Sequence, residues 1–575
     1  MSTFCRKARI RLGVCIGAAA LLAGWSVAGA AEKAVAQKKD FLHAPPERIQ
    51  EWRRLKFGLF IHWGPVSIKG TEIGWSRGGE RRGHRSGRNP RGIPVEVYDN
   101  LYKSFNPTLF DARKWAQTAK SAGMRYMVFT SKHHDGFCMF DTRLSDYKIT
   151  SPLCPFGRDV VKELSAACRA AGLWWGVYYS PPDWHHPDYR TARHERYIRY
   201  LHGQIRELLT RYGRVDVMWF DGLGGSAKDW DAERLFKMIR ELQPGILINN
   251  RCGLPGDFDT PEQRVGRMQI DRPWETCMTL GTQWAWKPND RIKSLQECVQ
   301  TLVRVVGGDG NLLLNVGPMP DGRIEPRQVK RLGEIGRWLE RFGESIYDTR
   351  GGPFIRARWG ASTRRGRTVY VHVLDPKQLP LAVPPLKARI LSASVLGGGA
   401  ARVERSERGF RLDVPPERRD SIDTIIKLEL DRPASELGLV PLRSARAISG
   451  FKASASNVFQ NQAEAYGPQN AVDGDPSTRW ATDAGVRRAW IEARWPKAAL
   501  ISGCRILEAF PGRIRKFELL VSEGKDWQIA AKGGRLPRDG AIRFSPRVAD
   551  RLRLNILDAA DGPTIWEIEP IRAEK

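Results

Sequence analysis

The chain has 575 residues and a formal net charge of +29, from 93 Lys and Arg against 64 Asp and Glu. That length holds three or four domains with full cores, and such a charge excess is compatible with nucleic acid, anionic lipid or sulfated and sialylated glycans. No recognition-helix or zinc-finger spacing supports nucleic acid, no CxxC pair suggests zinc, and a scattered, odd set of thiols in large domains does not suggest a disulfide framework.

Residues 1–30 read as a signal peptide. Arg6, Lys7, Arg9 and Arg11 precede an apolar run from Leu12 to Ala23, and Ala28-Gly29-Ala30 supplies small residues for cleavage. The run is too short for a stable membrane span. Cys15 lies inside the run rather than after it, so a soluble exported protein, periplasmic or secreted, is expected instead of a lipid-anchored one. Removal of this segment takes away four bases and no acids, which lowers +29 to +25.

From 31 to 347, short apolar runs alternate with amphipathic segments. "FGLFIHWG" (57–64), "YMVFTSKHH" (126–134), "WWGVYYS" (174–180), "VDVMWFD" (215–221), "ILINNR" (246–251) and "NLLLNVGP" (311–318) read as buried parallel strands. Helical patterns such as 111–123, 158–172 and 194–212 separate them, which predicts an α/β fold of the TIM-like (β/α) barrel type. Of the two remaining strands, one is expected within "MQIDRPWETC" and the other is blurred in the region before Asn311. Residues 348–436 carry alternating, β-branched runs such as "TVYVHVLD" and "TIIKLEL" and predict a small antiparallel β-sandwich. Residues 445–575, with "NAVDGDPSTRWATD" and "AWIEARW", predict a second β-sandwich domain rich in turn residues and Trp.

A barrel of this kind places its catalytic groups where strands give way to loops. Asp221 and Glu262 fall at such positions, 41 residues apart. Glycoside hydrolysis needs a carboxylate to attack or stabilise an oxocarbenium-like sugar and a second to protonate the departing oxygen. A strand-end Asp is also a common helix cap, so the surroundings decide. Twelve of the 20 Trp lie between 52 and 290, where their faces could pack on pyranose rings. His62-Trp63, His133-His134-Asp135, Tyr178-Tyr179 and Asn249-Asn250-Arg251 add polar groups at the neighbouring strand ends. No metal site is expected: adjacent residues such as His133 and His134 point to opposite faces of a strand, and no HExxH spacing is present.

The runs "KFGLFIHWGP", "FTSKHHDGFCMFDT", "WGVYYSPPDW", "VDVMWFDG", "RCGLPGDFDTPE", "PWETCMTL" and "GNLLLNVGPMPDG" closely resemble, in order, the α-L-fucosidases of glycoside hydrolase family 29. The resemblance implies a double-displacement mechanism that retains configuration, with Asp221 as nucleophile and Glu262 as acid/base. It also implies that His62, His133, His134, Tyr179 and Arg251 bind fucose hydroxyls, and that Phe60 and Trp284 line a pocket for the methyl group. Many members carry an adjacent Glu-Trp pair in the loop after the first strand. Here "GTEIGW" separates Glu72 from Trp75, so both stand as candidates for contact with the sugar. Glu275 in "PWETC" is the rival for the acid/base role, and the spacing from Arg251 favours Glu262.

The loop from 77 to 91 holds six Arg, and reads either as a solvated surface loop or as a clamp for an anionic or sulfated glycan. The segment "NAVDGDPSTRWATD" (470–483) resembles the discoidin-like, coagulation factor type C domains, which overlap with carbohydrate-binding modules. Asp473, Asp475 and Thr478 there could contribute to a structural calcium site or simply organise turns. No cofactor is expected for catalysis. The expected activity is exo-hydrolysis of terminal α-L-fucosyl linkages of an oligosaccharide or polysaccharide. The alternatives are a hydrolase for a related sugar such as α-L-galactose, and a catalytically weak glycan-binding protein.

Overall fold

Seven short strands make a curled parallel sheet: β1 (Phe57–Ile61), β2 (Tyr126–Lys132), β3 (Trp174–Tyr179), β4 (Val217–Phe220), β5 (Leu247–Ile248), β6 (Glu275–Thr279) and β7 (Asn311–Val316). Their order is β5-β4-β3-β2-β1-β7-β6. The computed structural model describes residues 40–573 apart from 85, 358, 407–408, 441–447, 449, 476–477, 525 and 538–539. The N-terminal segment read as a signal peptide, and Arg85, therefore lie outside the described residues.

The strands are buried on both faces, as parallel strands covered inside and outside must be. Alternate residues serve the two sides. Phe60, Val128, Tyr178, Trp219 and Leu313 fill the barrel, whereas Leu59, Met127, Val177 and Met218 pack against the helices. Gly58 lies against the ring of Tyr126, where a Cβ would come within 2.4 Å of it.

The sheet does not close by direct pairing of β5 with β6. The segment 258–262 fills the gap through parallel bridges Asn249↔Phe258, Asp259↔Trp274 and Glu262↔Cys277, giving an eight-stranded barrel. The strand expected within "MQIDRPWETC" is present at its end, since β6 begins at Glu275, and one expectation is corrected: the last strand lies at 258–262 and not immediately before Asn311. Its signal was hidden because Pro261 cannot donate to a ladder and Asp259 and Thr260 break the apolar run.

Helix α1 (Pro46–Leu55) precedes the barrel and sets Trp52 against Phe258, ring centroids 4.5 Å apart. Around the wall run α2 (Ala112–Ser121), α3 (Val160–Ala171), α4 (His194–Arg211), α5 (Ala232–Leu242), α6 (Leu295–Gly307) and α7 (Pro326–Phe342). Local sequence sets their starts: Asp111 caps α2, Asp159 caps α3, and Ser294 with Glu297 forms a capping box on α6. Among the described residues no helix lies between β5 and the closing segment, or between that segment and β6. The barrel wall is bare there.

The next unit is a sandwich of a five-stranded and a three-stranded antiparallel sheet, with a core that includes Val369, Val371, Leu412 and Leu428. The C-terminal unit is a seven-stranded antiparallel assembly whose two long strands, Ala489–Glu508 and Ala541–Ala559, pack Ile491, Trp495, Leu552 and Leu554 around Trp480. In its "NAVDGDPSTRWATD" turn, Asp473 accepts from the Asp475 amide at 2.9 Å and the Thr478 hydroxyl at 2.8 Å. Asp475 accepts from Arg356 Nε at 2.7 Å. The buried Arg356 also donates to the carbonyls of Arg304 and Gly266, so one guanidinium ties together barrel, sandwich and C-terminal unit. Such a pair is stable only when its remaining donors are matched, which the two carbonyls accomplish. The seven described cysteines are all free and buried.

Candidate active site

A pocket of about 400 Å³ opens at the C-terminal ends of the strands. Phe60 and His62 reach it from β1, Tyr178 from β3, Trp219 and Asp221 from β4, Arg251 from the end of β5, and Glu262 from the closing segment. Trp75, His133 and Trp284 complete the wall from loops.

Arg251 organises the two carboxylates. Its Nε and Nη2 donate to the hydroxyl and carbonyl of Thr260, at 2.8 and 2.9 Å, and its Nη1 lies 3.2 Å from Asp221 Oδ1 and 2.8 Å from Glu262 Oε2. Burial acts against its charge, but Glu262 and Asp221 outweigh it and hold the guanidinium above its ordinary pKa. Tyr178 Oη donates to Asp221 Oδ2 at 2.9 Å. The Asp221 side chain is 15% exposed and that of Glu262 41%, so Asp221 lies deeper and Glu262 at the mouth.

The histidines are set up as neutral hydrogen-bonding groups. His62 Nδ1 meets Asn315 Oδ1 at 2.7 Å, and the Asn315 amide is oriented by donating to the Trp284 carbonyl at 2.8 Å. His62 is thereby fixed as the Nδ1–H tautomer with Nε2 an acceptor, and burial pushes its pKa down to about 3. His134 Nδ1 meets Ser180 Oγ at 2.5 Å, and Ser180 donates onward to the Pro182 carbonyl at 2.7 Å. This leaves His134 Nε2 without a proton, 3.5 Å from Asp221 Oδ2. His133 Nδ1 and His134 Nε2 are both buried without a hydrogen-bond partner among the described residues. Burial and neighbouring charge hold both rings well below their usual pKa. Gly74, with φ +64°, lets the loop of Trp75 approach His133, where a Cβ would come within 2.6 Å of Nδ1.

Two sequence-based assignments change, those of Tyr179 and Glu72, while the rival carboxyl Glu275 stays outside the pocket. Tyr179 turns away from the pocket and donates to Gln204 of α4 at 2.7 Å, because pleating sends it to the helix side, and Tyr178 takes the inward position. Glu72 does not line the pocket. Its carboxylate accepts from the amides of Ile73, Trp284 and Ala285 at 3.1, 2.8 and 3.0 Å, which pins the Trp284 loop, while Trp75 lines the wall. Glu275 is fully buried in the barrel beneath Trp219. It accepts from Tyr126 Oη at 2.5 Å and Trp219 Nε1 at 2.9 Å, and burial pushes its pKa up to about 7. It has no path to a leaving group.

Trp219 was missed, although its position two residues before Asp221 puts it on the same face. Its ring lies 4.7 Å under the Arg251 guanidinium and stacks on Tyr178 at 5.6 Å. Asn315 and Thr260 were also missed, since each acts through another side chain, His62 and Arg251 respectively. Among the described residues no group of three or more His, Cys, Asp or Glu is placed to hold a metal ion.

Paired carboxylates on a (β/α) barrel, walled by aromatic rings and neutral imidazoles, define a glycoside hydrolase. The α-L-fucosidase family model matches residues 27–344, and an F5/8 type C domain model matches 452–570. The chain belongs to the α-L-fucosidase family, glycoside hydrolase family 29. It is 32% identical to human plasma α-L-fucosidase over 327 residues, covering 51% of this chain and 68% of that one. It is 31% identical to a putative α-L-fucosidase of Caenorhabditis elegans, again over 51% of this chain and 66% of the other, so it spans about two thirds of these relatives. Among solved structures, α-L-fucosidase isoenzyme 1 from Paenibacillus thiaminolyticus superposes with a TM-score of 0.60 at 39% identity, covering 67% of this chain and 99% of that one. A trapped covalent intermediate of a Bacteroides thetaiotaomicron family 29 enzyme with 2-fluoro-fucosyl fluoride gives 0.60 at 28% identity, covering 67% and 96%.

Proposed function

We propose that this protein is an exported, retaining exo-α-L-fucosidase that releases terminal fucose from glycans. The observation that carries the reading is the pair of carboxylates, Asp221 and Glu262, held by one guanidinium nitrogen of Arg251 in a pocket walled by Phe60, Trp75, Trp219 and Trp284. Asp221 attacks the anomeric carbon to form a β-fucosyl-enzyme, and Glu262 first donates a proton and then activates water. Because one nitrogen touches both carboxylates, their nearest oxygens lie within about 6 Å, which fits the spacing of about 5–5.5 Å used for double displacement. The covalent intermediate trapped in the Bacteroides relative supports the same course. Export, to the periplasm or the medium, rests on the N-terminal pattern of basic, apolar and small residues. No helix among the described residues is long and apolar enough to cross a membrane.

Sugar choice gives the first test. Phe60 and Trp284 meet edge to face, centroids 6.0 Å apart, and form an apolar seat for the fucose methyl group. L-galactose carries a hydroxyl there, and leaving it unpaired costs roughly 1–3 kcal/mol. An aryl α-L-fucoside should exceed the α-L-galactoside at least several-fold in kcat/KM, and equal rates would remove the methyl seat from this pair.

The arginine-rich loop suits an anionic substrate. Arg77 is paired with Asp99 at 2.6 Å, but Arg81 and Arg82 are held by backbone carbonyls and have no carboxylate partner among the described residues. Arg81 lies over Trp75 and Trp184, at 5.1 and 5.4 Å, beside the pocket. Replacing Arg81 and Arg82 by Ser should lower the ratio of sulfated to neutral fucoside turnover several-fold and flatten its dependence on ionic strength. A ratio that does not move would make the loop a solvated surface.

A further inference from the structure

The bare wall of the barrel is covered by the other two units, and between them lies a cleft of about 680 Å³, larger than the catalytic pocket. Arg264 enters from the segment after Glu262, Arg304 from α6, and Arg479 and Trp566 from the C-terminal unit. We propose that this cleft is a second glycan site, which takes a sugar segment bearing sulfate or carboxylate groups through the guanidiniums of Arg264, Arg304 and Arg479, with the ring face against Trp566.

Charge balance carries the argument. Arg264 and Arg479 lie over the same Tyr466 ring, at 5.6 and 5.5 Å. Neither they nor Arg304 has a carboxylate partner among the described residues, and Arg479 Nε is buried with no hydrogen-bond partner among them. The two acids lining the cleft are engaged elsewhere. Asp375 accepts from the Lys377 amide at 3.0 Å, and Glu508 accepts from the Gly512 and Ile514 amides at 2.8 and 2.7 Å. Burial holds Arg264 and Arg304 below their ordinary pKa, and the neighbouring cations Arg479 and Arg356 respectively add to it. Like charges gathered in a half-buried cleft repel one another, and an oxyanion bridging them offsets that repulsion through charge-assisted hydrogen bonds. Trp566, Pro511 and Met278 supply apolar surface suited to a pyranose ring. Gln263 and Arg264 line the cleft directly after Glu262, so an occupant would touch the segment that carries the acid/base.

The test reads binding, and so stands apart from fucoside hydrolysis. The full chain, with its catalytic pocket saturated by L-fucose, is titrated calorimetrically with a sulfated fucan tetrasaccharide, its desulfated counterpart and sodium sulfate. The sulfated sugar should bind at least about tenfold tighter than either control, since each charge-assisted contact is a large fraction of a tenfold step or more. Arg264→Gln with Arg479→Gln should weaken it a further tenfold or more, and Arg264→Lys with Arg479→Lys should retain most of it. Unchanged affinity in the double Gln variant, equal binding of the desulfated sugar, or sulfate ion binding as tightly as the tetrasaccharide would each overturn the assignment.

Discussion

Asp221→Gly should reduce turnover of an aryl α-L-fucoside by at least roughly 10⁴-fold, the scale on which loss of a nucleophile is felt. Azide should then restore product formation in a diagnostic way. The carboxylate lies deep in the pocket, so its removal opens a space on the face of the anomeric carbon opposite the leaving group. Azide entering that space displaces the phenol directly and gives the inverted β-fucosyl azide. Proton NMR of the product distinguishes the anomers, and a retained α-azide from this variant would sink the assignment of Asp221. Tyr178, Arg251 and the His134 ring remain to frame the site, so failure by misfolding can be separated by the melting temperature of the variant.

Glu262→Ala should behave in the opposite sense. An activated phenol needs little protonation, so the fucosyl-enzyme still forms and then waits for a base, and the loss, about 10²–10⁴-fold, falls on its hydrolysis. Azide attacks that intermediate from the mouth of the pocket and yields the retained α-fucosyl azide. Poor leaving groups should suffer the loss in the first step as well. The 41% exposure of the Glu262 side chain, against the complete burial of Glu275 under Trp219, is what separates the two carboxyls. If azide instead rescues Glu275→Ala and leaves Glu262→Ala inactive, the acid/base role belongs to Glu275 and the burial argument fails.

The contrast between these two glutamates shows what kind of information the linear chain carries. Both stand near strand ends in short motifs, and the spacing from Arg251 favours Glu262 without giving the physical reason. Their difference comes from Tyr126 and Trp219, which close over Glu275 from strands far away in the sequence. The closing strand 258–262 was obscured for a related reason: it is held by single bridges to its neighbours and contains Pro261, so it has neither alternation nor an apolar run.

The chain alone determined the barrel, its six apolar strands, the two β-units that follow, and the convergence of Asp221, Glu262, His62, His133 and Arg251 on one rim. Buried parallel strands must be apolar throughout, and helix starts need capping side chains, so these elements are written in local composition. Tertiary structure decided which way side chains point and what they touch. Tyr178 faces the pocket and Tyr179 does not because a pleat reverses direction at each residue, so an uncertainty of one position exchanges the two sides. Glu72 pins the Trp284 loop instead of lining the pocket because the amides of residues 284 and 285, more than two hundred positions away, fold onto it. The guanidiniums of the second cleft acquire their meaning only where two units cover the stretch of wall that lacks helices, since charge balance is a property of neighbours in space and not of neighbours in sequence.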